Sequence, residues 1–315
     1  MQKIGLLMMA YGTPYKREDI APFYTAIRHG RRPSDGQIAE LARRYETIGG
    51  LSPLAELTKR QASVLEQHLN AYQRDFVFKT YLGLKYIHPF IEDAVTAMHR
   101  DGVQKAIALA LAPHYSLFSV RAYAKRALDA ARKTGGPEIY PIKSWYRQPL
   151  FIRFWVKQIA DELNGVPEAE RDAAIVIFTA HSLPKRILEN NDPYPEQIAE
   201  TIRAIVAQTG DIHYAQSWQS AGKTGDPWLG PDIRDKIREL ADSGRWKHFI
   251  ICPIGFVAEH LEVLYDNDYE CRRLIEKLGG HYHRPKMPDT DPRFIGALTD
   301  AVLSACREKK PIGRH

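Results

Sequence analysis

Short apolar runs alternate with longer amphipathic stretches along this chain, the pattern of βα units feeding a parallel sheet. The runs predict strands near 4–11, 76–86, 104–113, 173–180, 211–217 and 247–256. Between them, apolar residues recur at helical spacing over 58–72, 91–100, 119–133, 149–163 and 194–208. The stretch 120–132 is rich in Ala, Lys and Arg, which are strong helix formers. A last helix is expected over 292–307, followed by a frayed basic tail.

The strands fall into two sets of three, and the first of each set ends alike. One runs out into Ala10-Tyr11-Gly12-Thr13-Pro14, the other into Ala180-His181-Ser182-Leu183-Pro184. Each ending carries a ring-bearing side chain, a small residue and then a proline. Two related α/β halves follow, 1–144 and 145–315, joined in the polar stretch 135–149. The first half alone carries a long polar and basic excursion, about 15–53, which reads as a functional loop. Ligands of parallel α/β sheets bind beyond the carboxyl ends of the strands. Tyr11, His114, His181, Trp218 and the segment after Pro253 are expected at that edge.

Composition agrees with a two-domain globular chain: 315 residues, 44% hydrophobic and 26% charged. No apolar run approaches the roughly 20 residues that span a bilayer. Ile4 to Ala10 could pass for a signal-peptide core, but it is short and lacks a small-residue cleavage pattern, so a buried strand is expected. The three cysteines, Cys252, Cys271 and Cys306, lie far apart without CxxC spacing. They suggest neither a disulfide framework nor a cluster, and point to a reducing cytoplasm. The formal charge of +6 suits acidic partners. The basic residues are dispersed and form no nucleic-acid motif, and a carboxylate-rich small molecule would suit the same balance.

Candidate chemistry concentrates after the last strand. Glu262, Asp266 and Glu270 recur every four residues, a spacing that drifts by about 40° per step on an α-helix. They form one acidic stripe, and widening toward a π-helix would align them better, a distortion that favours functional sites. The stripe reads either as a solvated acidic face or as a track of hard oxygen ligands for a divalent cation. His181 ends a buried strand, where a lone histidine is most often structural. Paired with a carboxylate it becomes a metal ligand or a base titrating near neutral pH. Two other signals fail: Gly222-Lys223-Thr224 lacks the upstream glycine of a phosphate-binding loop, and His181-Ser182-Leu183-Pro184 lacks a nucleophile elbow.

Together the motifs resemble ferrochelatases, specifically the short, soluble coproporphyrin ferrochelatases of Gram-positive bacteria. The likeness runs through Met9 to Pro14, Tyr45 to Pro53, Leu111 to Ser116, Thr179 to Pro184, Ser217 to Ser220, Asp226 to Pro231 and Pro253 to Glu270. It implies two Rossmann-like halves with parallel sheets flanked by helices, a porphyrin cleft between them, and a last helix returning to the first half. It implies His181 and Glu262 as the catalytic iron site and Tyr11 at the opposite porphyrin face. Arg28, Arg44, Tyr45, Ser52 and Tyr123 match positions that hold the porphyrin and its propionates. Asp266 and Glu270 match an outer cation site that takes magnesium or incoming iron. Bland readings stand beside these: Ser52-Pro53 also suits a helix start, Arg44 a solvated helix face, and Tyr11 the core. The polar run His29 to Gly36 stands where membrane-bound relatives carry an apolar lip, and the cysteine-rich extension that holds an iron–sulfur cluster is missing.

The resemblance thus implies a cytoplasmic, cluster-free enzyme of haem synthesis that takes ferrous iron and a porphyrin, without nucleic acid or membrane insertion. Transient contact with neighbouring pathway enzymes is expected. Insertion must strip two pyrrole protons and deliver iron to a resisting ring, for which His181 can serve as base, ligand or both. The rivals are a protoporphyrin IX ferrochelatase, a cobalt chelatase on similar scaffolding, and a porphyrin carrier that would not need the acidic stripe.

Overall fold

A computed structural model describes residues 2–222 and 225–308. Lys223 and Thr224 of the rejected phosphate-loop signal, and the basic tail beyond 308, lie outside the described residues. Among the described residues the strands form two four-stranded parallel sheets. The first contains β1 (Gln2–Ala10), β2 (Phe76–Leu84), β3 (Lys105–Ala110) and β4 (Glu138–Pro141), in the order β2-β1-β3-β4. The second contains β5 (Ala174–His181), β6 (Tyr214–Gln219), β7 (His248–Cys252) and β8 (His281–His283), in the order β6-β5-β7-β8. The two sheets share one strand order, so the sequence likeness of the β1 and β5 endings reflects equivalent places in a repeated topology.

Each half has four strands rather than three. β4 and β8 are short edge strands, of four and three residues, too brief to show a period against their polar flanks. The central strands match the apolar runs because a strand covered on both faces is hydrophobic throughout. β5, for instance, is buried from Ala174 to Ala180.

The helices are α1 (Ile20–Ile27), α2 (Asp35–Thr47), α3 (Leu54–Tyr72), α4 (Ile91–Arg100), α5 (Val120–Thr134), α6 (Pro149–Gly165), α7 (Tyr194–Thr209), α8 (Ile233–Asp242), α9 (Arg272–Lys277) and α10 (Pro292–Glu308). The excursion 15–53 is therefore not an irregular loop. It folds as α1 and α2, and Ser34 starts α2 by accepting the Gln37 N–H, while the Gln37 amide oxygen accepts the Ser34 N–H. That reciprocal Ser-x-x-Gln box satisfies two orphan backbone donors.

Two compact units result, one of 1–150 plus the segment from Asp289 through α10, the other of 151–288. In the first, α4 and α5 cover one sheet face with Val95, Met98, Val120 and Ala127. α10 packs on α3, where His68 Nδ1 lies 2.9 Å from Thr299 Oγ1 and Gln61 donates to the Asp289 carbonyl. In the second, Ile233 and Ile237 of α8 and Ile275 of α9 pack on Ile175, Ile177, Phe249 and Ile251. No helix among the described residues is long and apolar enough to cross a membrane.

Candidate active site

In the second unit, the carboxyl ends of β5, β6 and β7 gather the reactive groups. β5 closes on His181, whose backbone carbonyl accepts the hydroxyl of buried Tyr194 at 3.0 Å. Beyond β7 the chain turns back over β5 at Gly255. A Cβ there would come within 2.8 Å of the Ala180 Cβ and 3.0 Å of its Cα, so only glycine lets this loop lie against the strand. The loop leads into a π-helix over Glu262–Cys271. Its wider turn is visible at its end, where the Arg272 N–H reaches the Asn267 carbonyl five residues back.

The π-helix brings Glu262 to His181. Nδ1 of His181 lies 2.9 Å from a Glu262 carboxylate oxygen, with about a third of each side chain exposed, 34% and 33%. Trp228 and Phe256 approach the imidazole edge-on, each with its ring centroid 6.5 Å away. Burial alone would push the His181 pKa down, yet the charge and hydrogen bond of Glu262, helped by Asp266, raise it. Burial would likewise raise Glu262, but His181 and His260 hold its carboxyl far below the usual range. Glu262 is therefore an ionised acceptor, so the Nδ1 proton belongs to His181 and Nε2 is the nitrogen left to accept a proton or bind a metal.

Further along the stripe, Asp266 accepts the Ser220 hydroxyl, and Glu270 lies 3.8 Å from the Arg234 guanidinium. Arg234 in turn is held by Asp232 at 2.9 Å. The sequence reading passed over Arg234, which competes with any cation at Glu270. Among the described residues no three His, Cys, Asp or Glu side chains converge into a ready-made metal cage. Two carboxylates and a hydroxyl still suit magnesium, which usually keeps several waters and binds through one or two carboxylates.

The remaining candidates lie in the first unit. Tyr11 is 42% exposed and packs edge-on against Tyr86 at 4.8 Å and Phe23 at 6.1 Å. Tyr123 is buried, and the Lys85 ammonium sits over both its ring, at 5.4 Å, and that of Tyr86, at 4.8 Å. Burial, with Arg126 adding, lowers that lysine to a pKa of about 8. Tyr45 is buried on α2 with its hydroxyl 3.3 Å from Thr13 Oγ1, which ties α2 to the end of β1. Arg28 follows α1, donates to the Gln37 amide oxygen at 3.1 Å and lies over the Tyr24 ring. Arg44 donates to Glu40 at 3.2 Å and keeps 27% of its side chain exposed. Ser52 is buried and its hydroxyl accepts the Leu54 N–H, the helix-start role that its position before Pro53 allows.

Three further residues escaped the sequence reading. His260 Nε2 stands 3.9 Å from the Glu262 carboxylate while its Nδ1 lies 2.9 Å from the Ala258 carbonyl. Its place two residues before Glu262 was a usable signal. Lys85, just past β2, was signalled only by its strand-end position. Gln219 lies inside the Ser217 to Ser220 motif, but nothing there gave it a role, because its partners are distant in sequence.

The ferrochelatase family model matches residues 3–306. The coproporphyrin III ferrochelatase of Listeria innocua is 55% identical, over 96% of this chain and 98% of that protein. That of Geobacillus kaustophilus is 52% identical, over 97% and 96%, and that of Bacillus subtilis 51%, over 96% and 97%. Among solved structures, SirB from Bacillus subtilis with Fe3+ superposes with a TM-score of 0.58 at 14% identity, over 99% of this chain and 98% of that one. CbiX, described as the terminal enzyme of sirohaem biosynthesis in denitrifying bacteria, gives 0.54 at 13%, over 96% and 99%. Those two likenesses concern the fold alone.

Proposed function

The chain belongs to the ferrochelatase family, and we propose that it inserts ferrous iron into coproporphyrin III to give coproheme in haem biosynthesis. The observation that carries this reading is the His181–Glu262 pair, read with relatives at 51–56% identity that are named for this reaction. Iron is the substrate metal, and two pyrrole protons leave as it enters. Glu262 fixes the imidazole and raises its basicity, so His181 Nε2 takes a proton from a pyrrole nitrogen, guides the ion, or does both. His260 and the acidic stripe lead protons and cations away from or toward the pair. Asp266 and Glu270 form the outer site for magnesium or incoming iron.

Tyr11, Arg28, Arg44, Tyr45, Ser52 and Tyr123 are assigned to the porphyrin and its carboxylates. Tight contacts remote from the ring would bend it so that its nitrogens present their lone pairs to the metal. The setting is a reducing cytoplasm, in keeping with three cysteines that are all free and buried. The product passes to the next enzyme by transient contact. The test is anaerobic insertion of Fe²⁺, followed by Soret absorbance, with coproporphyrin III and protoporphyrin IX and with Co²⁺ as rival metal. No metalation of any porphyrin refutes the reading, and binding without turnover turns it into a carrier.

A further inference from the structure

Gln219 ends β6, stands in register with His181 of β5, and is completely buried. Its backbone carbonyl accepts the Ser182 N–H at 2.7 Å, which joins it to the strand end that carries His181. Its side chain serves the other half of the pair. Nε2 donates to the backbone carbonyl of Glu262 at 3.2 Å. Oε1 accepts from Thr179 Oγ1 at 2.7 Å and from Asn267 Nδ2 at 3.2 Å. The amide has only one workable orientation, since turned over it would set its oxygen against the Glu262 carbonyl oxygen, two acceptors face to face.

Residues 262 and 267 are five apart. On an α-helix, five steps of 100° leave them about 140° apart around the axis, beyond the reach of one amide. A π-helix pairs each carbonyl with the N–H five residues on, which brings the two positions to one flank. Gln219 therefore grips both ends of a single π turn, and Asn267, also completely buried, is its counterpart on the helix.

We propose that Gln219, with Asn267, is a positioning residue that holds the π register of 262–271 and thereby sets the Glu262 carboxylate against His181 for iron insertion. The inference rests on the chelatase reading above. Without the amide, the first turn is free to relax toward α-helical winding, which rotates Glu262 away from the imidazole.

The test compares Gln219→Leu with Ile205→Ala, a cavity variant in α7 that lowers Tm without touching the site. Steady-state iron insertion, porphyrin affinity by fluorescence quenching, Tm and hydrogen exchange over 262–271 are measured on each. Gln219→Leu is expected to lower kcat by roughly tenfold or more, because small displacements of a reacting group are costly. Its porphyrin Kd should stay unchanged and exchange over 262–271 should quicken. Ile205→Ala should keep the wild-type kcat and the slow exchange of this segment. If Gln219→Leu does not fold, Asn267→Ser trims the same contact from the helix side and is read in the same way. Wild-type kcat in the site variant, or a kcat loss matched by Ile205→Ala at equal loss of Tm, overturns the proposal. Failure of the wild-type protein to metalate any porphyrin overturns the chelatase reading instead.

Discussion

His181 commits its Nδ1 to a Glu262 carboxylate oxygen 2.9 Å away, across 81 positions of sequence. One imidazole nitrogen is thereby spent and the other is oriented. His181→Ala should abolish iron insertion, by roughly 100-fold or more in kcat, the usual worth of a positioned acid or base. Porphyrin binding should survive, because the residues assigned to the propionates are others. Glu262→Gln keeps the shape but loses the charge that raises His181, and should also lose most turnover. Anaerobic Soret assays with a parallel fluorescence titration decide it; wild-type kcat in His181→Ala refutes the assignment.

The acidic stripe was legible because it is local, whereas the pairing of His181 with Glu262 came only with the family resemblance. The repeat of four that links Glu262, Asp266 and Glu270 is one that a widened helix aligns better than an α-helix, and a strand-ending His181 marked a sheet edge. The central strands were legible because continuous apolar runs have few other uses. What was hidden depended on distant partners or short elements. β4 and β8 have too few residues for a period, and α8, Ile233–Asp242, buries only Ile233 and Ile237 behind a charged face. Of the helices of the excursion, α2 was masked by polar composition, although the Ser34–Gln37 box was there to read, whereas α1 is a short apolar segment with Pro22 inside it. Gln219 is a polar residue whose burial and partners only the fold supplies.

A histidine cluster on β7 and β8 yields a pH prediction. His248 Nε2 lies 2.9 Å from the Glu170 carboxylate and its Nδ1 2.9 Å from His283 Nε2, while His281 stacks on His248 at 4.8 Å. Lys247 reaches Glu170 at 3.4 Å, and Glu162 lies 4.0 Å from His283 Nδ1. Burial and then the neighbouring His248 and His281 lower the His283 pKa. A base lowered on folding binds fewer protons than it does unfolded, so its stabilisation is whole above the unfolded value near 6.5 and is lost as pH falls below it. Between about pH 7.5 and about pH 5.5 the contribution of His283 should therefore lower Tm, and the Tm of His283→Gln, which can still donate but cannot titrate, should drop less than that of the wild type over the same range. Equal slopes refute it.

The outer stripe should matter to delivery more than to chemistry. Asp266 is engaged by Ser220 and Glu270 is shadowed by Arg234. Asp266→Asn combined with Glu270→Gln should raise the apparent KM for iron several-fold, or blunt a magnesium effect, with kcat at saturating iron largely kept. Complete loss of turnover at saturating iron would place these carboxylates in the reaction itself.

Porphyrin choice follows from charge. Coproporphyrin III carries four propionates, whereas protoporphyrin IX carries two and two apolar vinyl groups. The excursion offers Arg28, Arg31, Arg32, Arg43 and Arg44, and several already hold carboxylates of their own: Arg32 pairs with Asp35, and Arg43 and Arg44 share Glu40. Glu40 is kept ionised, its pKa lowered to about 2 by those two arginines. Of that pair Arg44 is the more sheltered, 27% exposed against 52%, so its charge is screened less by solvent. A well-formed charge-assisted hydrogen bond contributes about 1.5–3 kcal/mol, or roughly 10- to 150-fold in kcat/KM. Coproporphyrin III should be preferred, Arg44→Ala should cost up to that factor with it and less with protoporphyrin IX, and added salt should weaken the preference only modestly. Arg32→Ala, at a side chain 72% exposed and paired on the surface, should change little. Equal kcat/KM for the two porphyrins under matched detergent would refute the preference and leave the chelatase reading standing.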